Sequence, residues 1–151
     1  MAWALLEADP MFQLHGVSVV AGNAPLQRTL LNALSIKALH GFETPVYAGC
    51  DRPLAQAQTT AQDVLGAFGM DSTGPRLPEV DHCPQAQHGV MAMIDCIRAH
   101  PGRITLLAVG PLTNVATAFA LAPDLPGLLK DLVIMGGSTV GGNATAAILK
   151  R

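Results

Sequence analysis

The chain has 151 residues, of which 50% are apolar and 13% are charged, and its formal net charge is −2. This length corresponds to one domain, and the apolar content excludes a disordered tail. The lysines and arginines are scattered singly up to Lys150 and Arg151, which argues against nucleic-acid binding.

The first half of the chain alternates between helical and extended patterns. A helix is predicted to end at Ala8, because the residue before Pro10 resists the helical conformation. Three further elements are predicted: a strand over 12–21, a helix over 26–40 that ends at Gly41, and a strand over 45–49.

The middle of the chain, residues 52–84, contains four prolines and no regular period, which predicts a long irregular connection with one helical turn. The second half predicts a helix over 85–100, a strand over 104–109, a helix over 112–121 and a buried strand over 132–135. The helix over 85–100 presents one apolar face, which consists of Val90, Met93, Ile94 and Ile97.

Alternation of strands and helices, with strands apolar on both faces, predicts an α/β fold. The expected architecture is an open, mainly parallel, Rossmann-like sheet with helices on both faces. Right-handed crossovers place the carboxyl ends of parallel strands on one edge, where such sheets bind ligands. The predicted strands end in glycine or small polar residues, as at Gly22-Asn23, Gly49-Cys50, Gly110-Pro111 and Gly136-Gly137. These strand ends indicate a site for a polar small molecule.

The three cysteines, Cys50, Cys83 and Cys96, form no Cys-x-x-Cys or Cys-x-x-His pair, so their spacing suggests neither a zinc site nor a disulfide framework. We interpret them as buried free thiols in a reducing compartment, which predicts a cytoplasmic protein. The first residues lack the basic segment of a signal peptide. Glycines interrupt the charge-free stretches 104–123 and 132–149, so neither is predicted to span a membrane.

Other polar groups are given structural interpretations. Glu79, Asp81, His82 and Cys83 are close in sequence and are interpreted as a solvated loop rather than a metal cluster. His15 is interpreted as a structural histidine, and His100 as a favourable charge at a helix C-terminus. Asp95 and Arg98, three residues apart, are predicted to form an ordinary helix ion pair.

Four segments together resemble a known family. They are Val-Val-Ala-Gly-Asn at 19–23, Pro-Val-Tyr-Ala-Gly at 45–49, Leu-Ala-Val-Gly-Pro-Leu-Thr-Asn at 107–114, and Ile-Met-Gly-Gly at 134–137 followed by Gly142-Asn143. In order and spacing they are similar to the inosine–uridine-preferring nucleoside hydrolases, and the whole chain, 1–151, is interpreted as a single partial domain of that fold.

The resemblance implies hydrolysis of the N-glycosidic bond of a purine or pyrimidine ribonucleoside, such as inosine or uridine, to ribose and free base. It also implies one Ca²⁺, held by aspartates and a backbone carbonyl, that activates a water molecule.

The resemblance assigns expected roles to individual residues. Asn23 matches the asparagine beside the metal-binding and base aspartates, and Val109 matches the position whose main-chain carbonyl binds Ca²⁺. Met135 and Asn143 match positions near the ribose 5′-hydroxyl. Leu65-Gly66 matches a segment in which many members carry His-Gly near the leaving base, and leucine cannot donate a proton there.

The family pattern also includes an aspartate cluster of the type Asp-x-Asp-x-Gly-x-Asp-Asp in a preceding strand. This sequence contains no Asp-x-Asp, so the resemblance implies a chain truncated at both ends that retains none of the catalytic aspartates. A hard dication needs ~6–8 oxygen ligands, and only the Val109 carbonyl is expected from this chain. We therefore expect the chain alone to bind no Ca²⁺ and to be inactive.

Two alternatives stay open at this point. The first is a non-catalytic remnant that binds a nucleoside weakly or associates with another subunit. Such association, for example into a homo-oligomer, would use an unpaired sheet edge beside 12–21. The second is an unrelated flavodoxin-like nucleotide-binding domain, which the lack of a glycine-rich phosphate-binding loop disfavours.

Overall fold

The structure is a computed structural model that describes residues 2–66, 77, 80 and 83–137. Its elements in chain order are α1 (Ala2–Ala8), β1 (Val17–Val19), α2 (Leu26–His40), β2 (Val46–Ala48), α3 (Gln62–Leu65), α4 (Gly89–Ala99), β3 (Thr105–Ala108), α5 (Thr113–Leu121), α6 (Leu125–Leu128) and β4 (Asp131–Ile134). Several residues with predicted roles lie outside the described ranges, namely Glu79, Asp81, His82 and Asn143.

The strands pair in parallel, which confirms the predicted α/β class. Strand β1 pairs with β2 in the register Val17 to Val46, and β3 pairs with β4 in the register Thr105 to Asp131. Within the described ranges these are two separate two-stranded sheets rather than one continuous sheet. A further parallel bridge joins Tyr47 to Gln85 on the other side of β2.

Helix α2 has the predicted bounds. Gly41 follows it with φ +66°, a left-handed conformation that glycine adopts without strain, and its N–H donates to the Ala38 carbonyl oxygen at 3.3 Å. The leucines of α2 are only partly buried, because Leu34 is in the core while Leu31 and Leu39 are about half exposed.

The predictions for two other elements are wrong in extent. Only Val17–Val19 is a strand within the predicted range 12–21, since β2 offers pairing partners for three residues alone. The helix predicted over 85–100 begins at Gly89, because Gln85 is engaged in the bridge to Tyr47 and its N–H donates to the Val46 carbonyl oxygen at 2.8 Å.

Helix α4 organises the core of the second half. Its buried residues Val90, Ile94 and Ile97 form one cluster with residues of α5 and α6 and of the link between them, which are Ala118, Ala122 and Leu125. Met93 packs against this cluster, so the predicted apolar face is confirmed. The sequence of α6, Leu-Pro-Gly-Leu, does not predict a helix, because it combines two residues that usually break helices.

The strand predicted over 132–135 is present as β4 (Asp131–Ile134), but the prediction that it is buried is wrong. Leu132, Val133 and Ile134 are 39–48% exposed, and Met135 is 67% exposed. No helix of the described ranges packs closely on this strand, whose main contacts are with β3. Its apolar composition therefore forms a solvent-facing apolar surface.

None of the helices in the described part of the chain has the length and apolar character needed to cross a membrane.

Candidate functional site

The carboxyl ends of β1 and β2 are joined by backbone hydrogen bonds. The Gly49 N–H donates to the Val19 carbonyl oxygen at 2.9 Å, and the Ala21 N–H donates to the Cys50 carbonyl oxygen at 3.0 Å. Pairing thus continues beyond the strands into the loops that follow them. This edge of the sheet is where ligands bind in open α/β folds.

Asn114, in the first turn of α5, ties this edge to the segment after β3. Its Nδ2 donates to Ser18 Oγ at 2.8 Å and to the Val19 carbonyl oxygen at 3.1 Å, while its Oδ1 accepts from the Cys50 N–H at 2.8 Å. Asn114 is only 4% exposed, and a buried amide satisfied on both sides fixes the groups around it. Asn114 therefore sets the mutual positions of β1, β2 and α5.

Two glycines allow the backbones to approach this closely. A Cβ at Gly49 would overlap the side-chain amide of Asn114 and the Val19 carbonyl oxygen. A Cβ at Gly22 would lie 2.9 Å from Pro111 Cγ. The loops after β1 and β3 are consequently in contact, next to the predicted site residue Asn23.

Asn23 lies on the exposed loop after β1. Its carbonyl oxygen accepts from the Ala61 N–H at 2.8 Å, and Gln58 Nε2 donates to the carbonyl oxygens of Gly22 and Ala24, both at 3.2 Å. These bonds hold the backbone of the loop and leave the Asn23 side chain exposed to solvent. The segment 58–61 thus shapes this side of the edge.

Leu65-Gly66 is connected to the same loop. The Leu65 N–H donates to the Ala61 carbonyl oxygen at 2.8 Å within the single turn of α3, and Ala61 is the residue that binds Asn23. The one helical turn predicted for the irregular connection is therefore confirmed, and it places Leu65 one turn away from the Asn23 loop.

Val109 and Met135 lie beside each other at the ends of β3 and β4. The Met135 N–H donates to the Ala108 carbonyl oxygen at 2.9 Å, which extends the strand pairing by one residue. Their side chains are 44% and 67% exposed. The structure thus brings Asn23, Val109 and Met135 to the carboxyl ends of their strands, whereas Asn143 lies outside the described residues.

The donor groups at this edge do not fit a Ca²⁺ ion. A hard dication requires several carboxylate or carbonyl oxygens around one point. The described part of the chain brings no three carboxylates together. Asp51, which follows β2, is exposed and lies 3.2 Å from Arg52 Nε. The described residues alone therefore do not form a calcium site.

Asn114 and Gly49 have no individual role in the prediction from sequence, although both stand in segments that carry the family resemblance. The signal in the sequence that could have identified Asn114 is an asparagine directly after a strand-ending Gly-Pro-Leu-Thr segment. The prediction of free thiols is confirmed for all three cysteines, but the prediction that they are buried is wrong: Cys50 and Cys96 are partly exposed, and Cys83 is exposed.

Comparison with known proteins decides the family. The sequence model of the "Inosine-uridine preferring nucleoside hydrolase" family matches residues 1–148. The chain belongs to this family. The "Pyrimidine-specific ribonucleoside hydrolase RihB" of Escherichia coli is 34% identical over 145 residues, which are 96% of this chain and 46% of that protein.

Solved structures of nucleoside hydrolases share the fold. The purine-preferring ribonucleoside hydrolase from Gardnerella vaginalis superposes with a TM-score of 0.85 at 26% identity, covering 94% of this chain and 46% of that one. An inosine-guanosine nucleoside hydrolase gives a TM-score of 0.82 at 27% identity, covering 95% and 47%. The chain thus spans about half the length of the relatives that it matches. For the E. coli protein the share is 46%.

Proposed function

We propose that this chain forms part of the substrate-binding scaffold of a ribonucleoside hydrolase. The reaction is hydrolysis of the N-glycosidic bond of a purine or pyrimidine ribonucleoside to ribose and free base. The proposal rests on one observation: the segments that resemble the family meet at the carboxyl ends of the parallel strands. There Asn114 holds β1 and the loop after β2 by hydrogen bonds, and Gly49 allows their close approach.

Four residues are assigned roles in that scaffold. The Val109 carbonyl oxygen is a ligand for the metal ion of the assembled site, for which we propose Ca²⁺. Asn23 and Met135 contact the ribose, together with Asn143. Exposure of the Asn23 and Met135 side chains supports their roles, because a substrate can reach them.

The 151-residue polypeptide on its own is proposed to have no nucleoside hydrolase activity. It carries no Asp-x-Asp sequence, and its described carboxylates do not converge. Without such a cluster no group in the described site can deprotonate a water molecule or stabilise an oxocarbenium-like transition state. Leu65 likewise cannot protonate the leaving base.

A chimaera tests the proposed function. Residues 1–145 replace the matching segment of the E. coli pyrimidine-specific ribonucleoside hydrolase, and the remainder of that protein is kept. We expect release of base from uridine or inosine that requires added Ca²⁺ and stops with chelator. The same chimaera with Asn23→Ala is expected to lose activity, whereas Gln62→Ala, an exposed change on α3, is expected to retain it.

The contrary outcome is a chimaera that unfolds cooperatively, with a native-like circular dichroism spectrum, and yet releases no base from either nucleoside. That result would show that this scaffold does not support the reaction.

A second candidate function is self-association of the chain into a homo-oligomer. The exposed apolar side chains of Leu132, Val133, Ile134 and Met135 favour it, because a contiguous apolar strand on the surface marks an association surface. Sedimentation equilibrium would detect a dimer that dissociates in Val133→Lys and persists in Leu39→Lys, an exposed apolar site on α2. A monomer at all concentrations would exclude this function.

We also propose a cytoplasmic location, which the free state of Cys50, Cys83 and Cys96 supports. Alkylation of the three thiols in freshly lysed cells, measured by mass spectrometry, would test it.

A further inference from the structure

Three potential metal ligands meet at the amino-terminal side of the strands. The donor atoms of His15, Cys96 and His100 all lie within 4.8 Å of one another. We call this group the His–Cys–His cluster. The rings of His15 and His100 are 4.8 Å apart between centroids, with 51° between their planes.

The fold brings the cluster together from two directions. Cys96 and His100 are four residues apart at the end of α4, so both lie on one face of the helix. His15 comes from the segment before β1. Both His15 and His100 precede strands, whereas Asn23 and Val109 follow strands, so the cluster lies at the opposite end from the proposed substrate site.

One histidine is already held in the tautomer that metal binding needs. His100 Nδ1 lies 3.0 Å from the Cys96 carbonyl oxygen. A carbonyl oxygen only accepts hydrogen bonds, so Nδ1 is the protonated nitrogen and Nε2 keeps a free lone pair. Histidines that bind metals commonly donate their second nitrogen to a carbonyl oxygen in this way.

The donor set selects the kind of metal. Two imidazole nitrogens and one thiol sulfur suit Zn²⁺, whereas Ca²⁺ and Mg²⁺ prefer oxygen ligands. In a tetrahedral zinc site the donors lie roughly 3.3–3.7 Å apart. His15 is exposed and lies outside any strand, so its side chain can move by the remaining distance.

Burial raises the pKa of the Cys96 thiol. Binding of a divalent cation replaces the S–H bond with an S–metal bond and releases the proton to solvent.

We propose that the His–Cys–His cluster binds one Zn²⁺ ion, with water as the fourth ligand, and tethers the segment before β1 to the end of α4. Three protein ligands with an open fourth position are a common zinc arrangement. The sequence spacing of the cysteines alone does not suggest it, because His15 is remote from Cys96 in the chain.

Two probes test this site in the purified 151-residue chain. Zn²⁺ is titrated in competition with a chromophoric chelator, and Co²⁺ is added separately to detect thiolate-to-cobalt charge transfer. We expect one equivalent of metal and a charge-transfer band. Cys96→Ser, His15→Gln and His100→Gln are each expected to weaken Zn²⁺ binding by at least about tenfold. Cys83→Ser and His40→Gln are matched controls that are expected to bind like the original chain.

A second measurement, the rate at which Cys96 is alkylated, distinguishes loss of zinc binding from misfolding of a variant. In the unaltered chain, Zn²⁺ is expected to slow alkylation of Cys96 by iodoacetamide and to leave alkylation of Cys83 unchanged. His15→Gln alters an exposed side chain and is expected to keep the fold while abolishing this protection. Absence of a cobalt–thiolate band, or equal Zn²⁺ affinity in Cys96→Ser and Cys83→Ser, would overturn the proposal.

Discussion

At the scale of single residues, Asn114 controls the candidate substrate site. Its amide uses both its donor and its acceptor sides, and its three partners belong to β1 and to the loop after β2. An amide in this position has a defined orientation, because a flip would place its oxygen against the Val19 carbonyl and its NH₂ against the Cys50 N–H. The geometry of the candidate site therefore depends on one buried side chain.

We predict that Asn114→Asp lowers the free energy of unfolding by about 2–4 kcal/mol, because the donor to Val19 is lost and a charge is buried in its place. Urea denaturation followed by circular dichroism measures the change. Gln62→Glu, the same amide-to-carboxylate change at an exposed position, is expected to stay within about 0.5 kcal/mol of the original chain. Equal stabilities of the two variants would refute the role given to Asn114.

The sequence identifies Asn23, Val109 and Met135 as residues at strand ends, because glycines mark those ends. It does not reveal the Asn114 network or the His–Cys–His cluster. Both depend on contacts between residues far apart in the chain, such as Ser18 with Asn114 and His15 with Cys96. The predicted pair of Asp95 and Arg98 fails for the same reason, since Arg98 binds Asp124 instead.

At the scale of elements, the close approach of β1, β2 and α5 requires a glycine at position 49. Gly49→Ala is predicted to lower the free energy of unfolding by about 1–3 kcal/mol, because the added methyl group overlaps Asn114 and the Val19 carbonyl oxygen. Gly127→Ala, in α6 with no atom within 4 Å of the new Cβ, is predicted to raise it by about 0.5–1 kcal/mol. Thermal unfolding of both variants compares them. Similar losses at both positions would contradict this account.

Helix α4 is joined to the start of α6 by an ion pair. Arg98 Nε and Nη2 donate to the two carboxylate oxygens of Asp124 at 3.0 and 2.7 Å. The hydrogen bond from Arg98 lowers the pKa of Asp124. A carboxyl group whose pKa is lower in the folded state stabilises the fold above its unfolded pKa, and that contribution is lost as the pH falls through the folded value.

We therefore predict that Asp124→Asn lowers Tm slightly at neutral pH and that the difference from the original chain disappears as the pH falls below the usual range of aspartate. Asp51→Asn is the control: Asp51 pairs with its neighbour Arg52, which stays close in the unfolded chain, so no comparable pH dependence is expected. Tm measured from neutral to acidic pH tests this. A difference that grows towards acid would contradict the assignment.

Element bounds that are encoded locally are predicted better than bounds that are set by pairing with a distant segment. The end of α2 is encoded locally by Gly41, whose left-handed conformation stops the helix. The extent of β1 is set by its partner β2, and the start of α4 by the bridge from Gln85 to Tyr47. Pairing with a distant segment cannot be read from local periodicity.

At the scale of the whole molecule, two parallel strand pairs are linked through α4 and α5 rather than through strand-to-strand hydrogen bonds in the described ranges. Apolar strand composition predicts a parallel α/β class, and this is confirmed. It also predicts burial, which fails for β4 because no described helix packs closely on it. The family resemblance of four short segments extends to a match over residues 1–148.

The central claim is that this polypeptide has the scaffold of a nucleoside hydrolase, and that its described residues bring together no carboxylate cluster that can bind Ca²⁺. The most direct test incubates the purified 151-residue chain with inosine and with uridine in the presence of Ca²⁺ and measures free base by chromatography. We predict no release above that of a mock preparation from cells lacking the gene, with or without chelator. Release of base that exceeds the mock preparation and stops when the metal is chelated would contradict the claim.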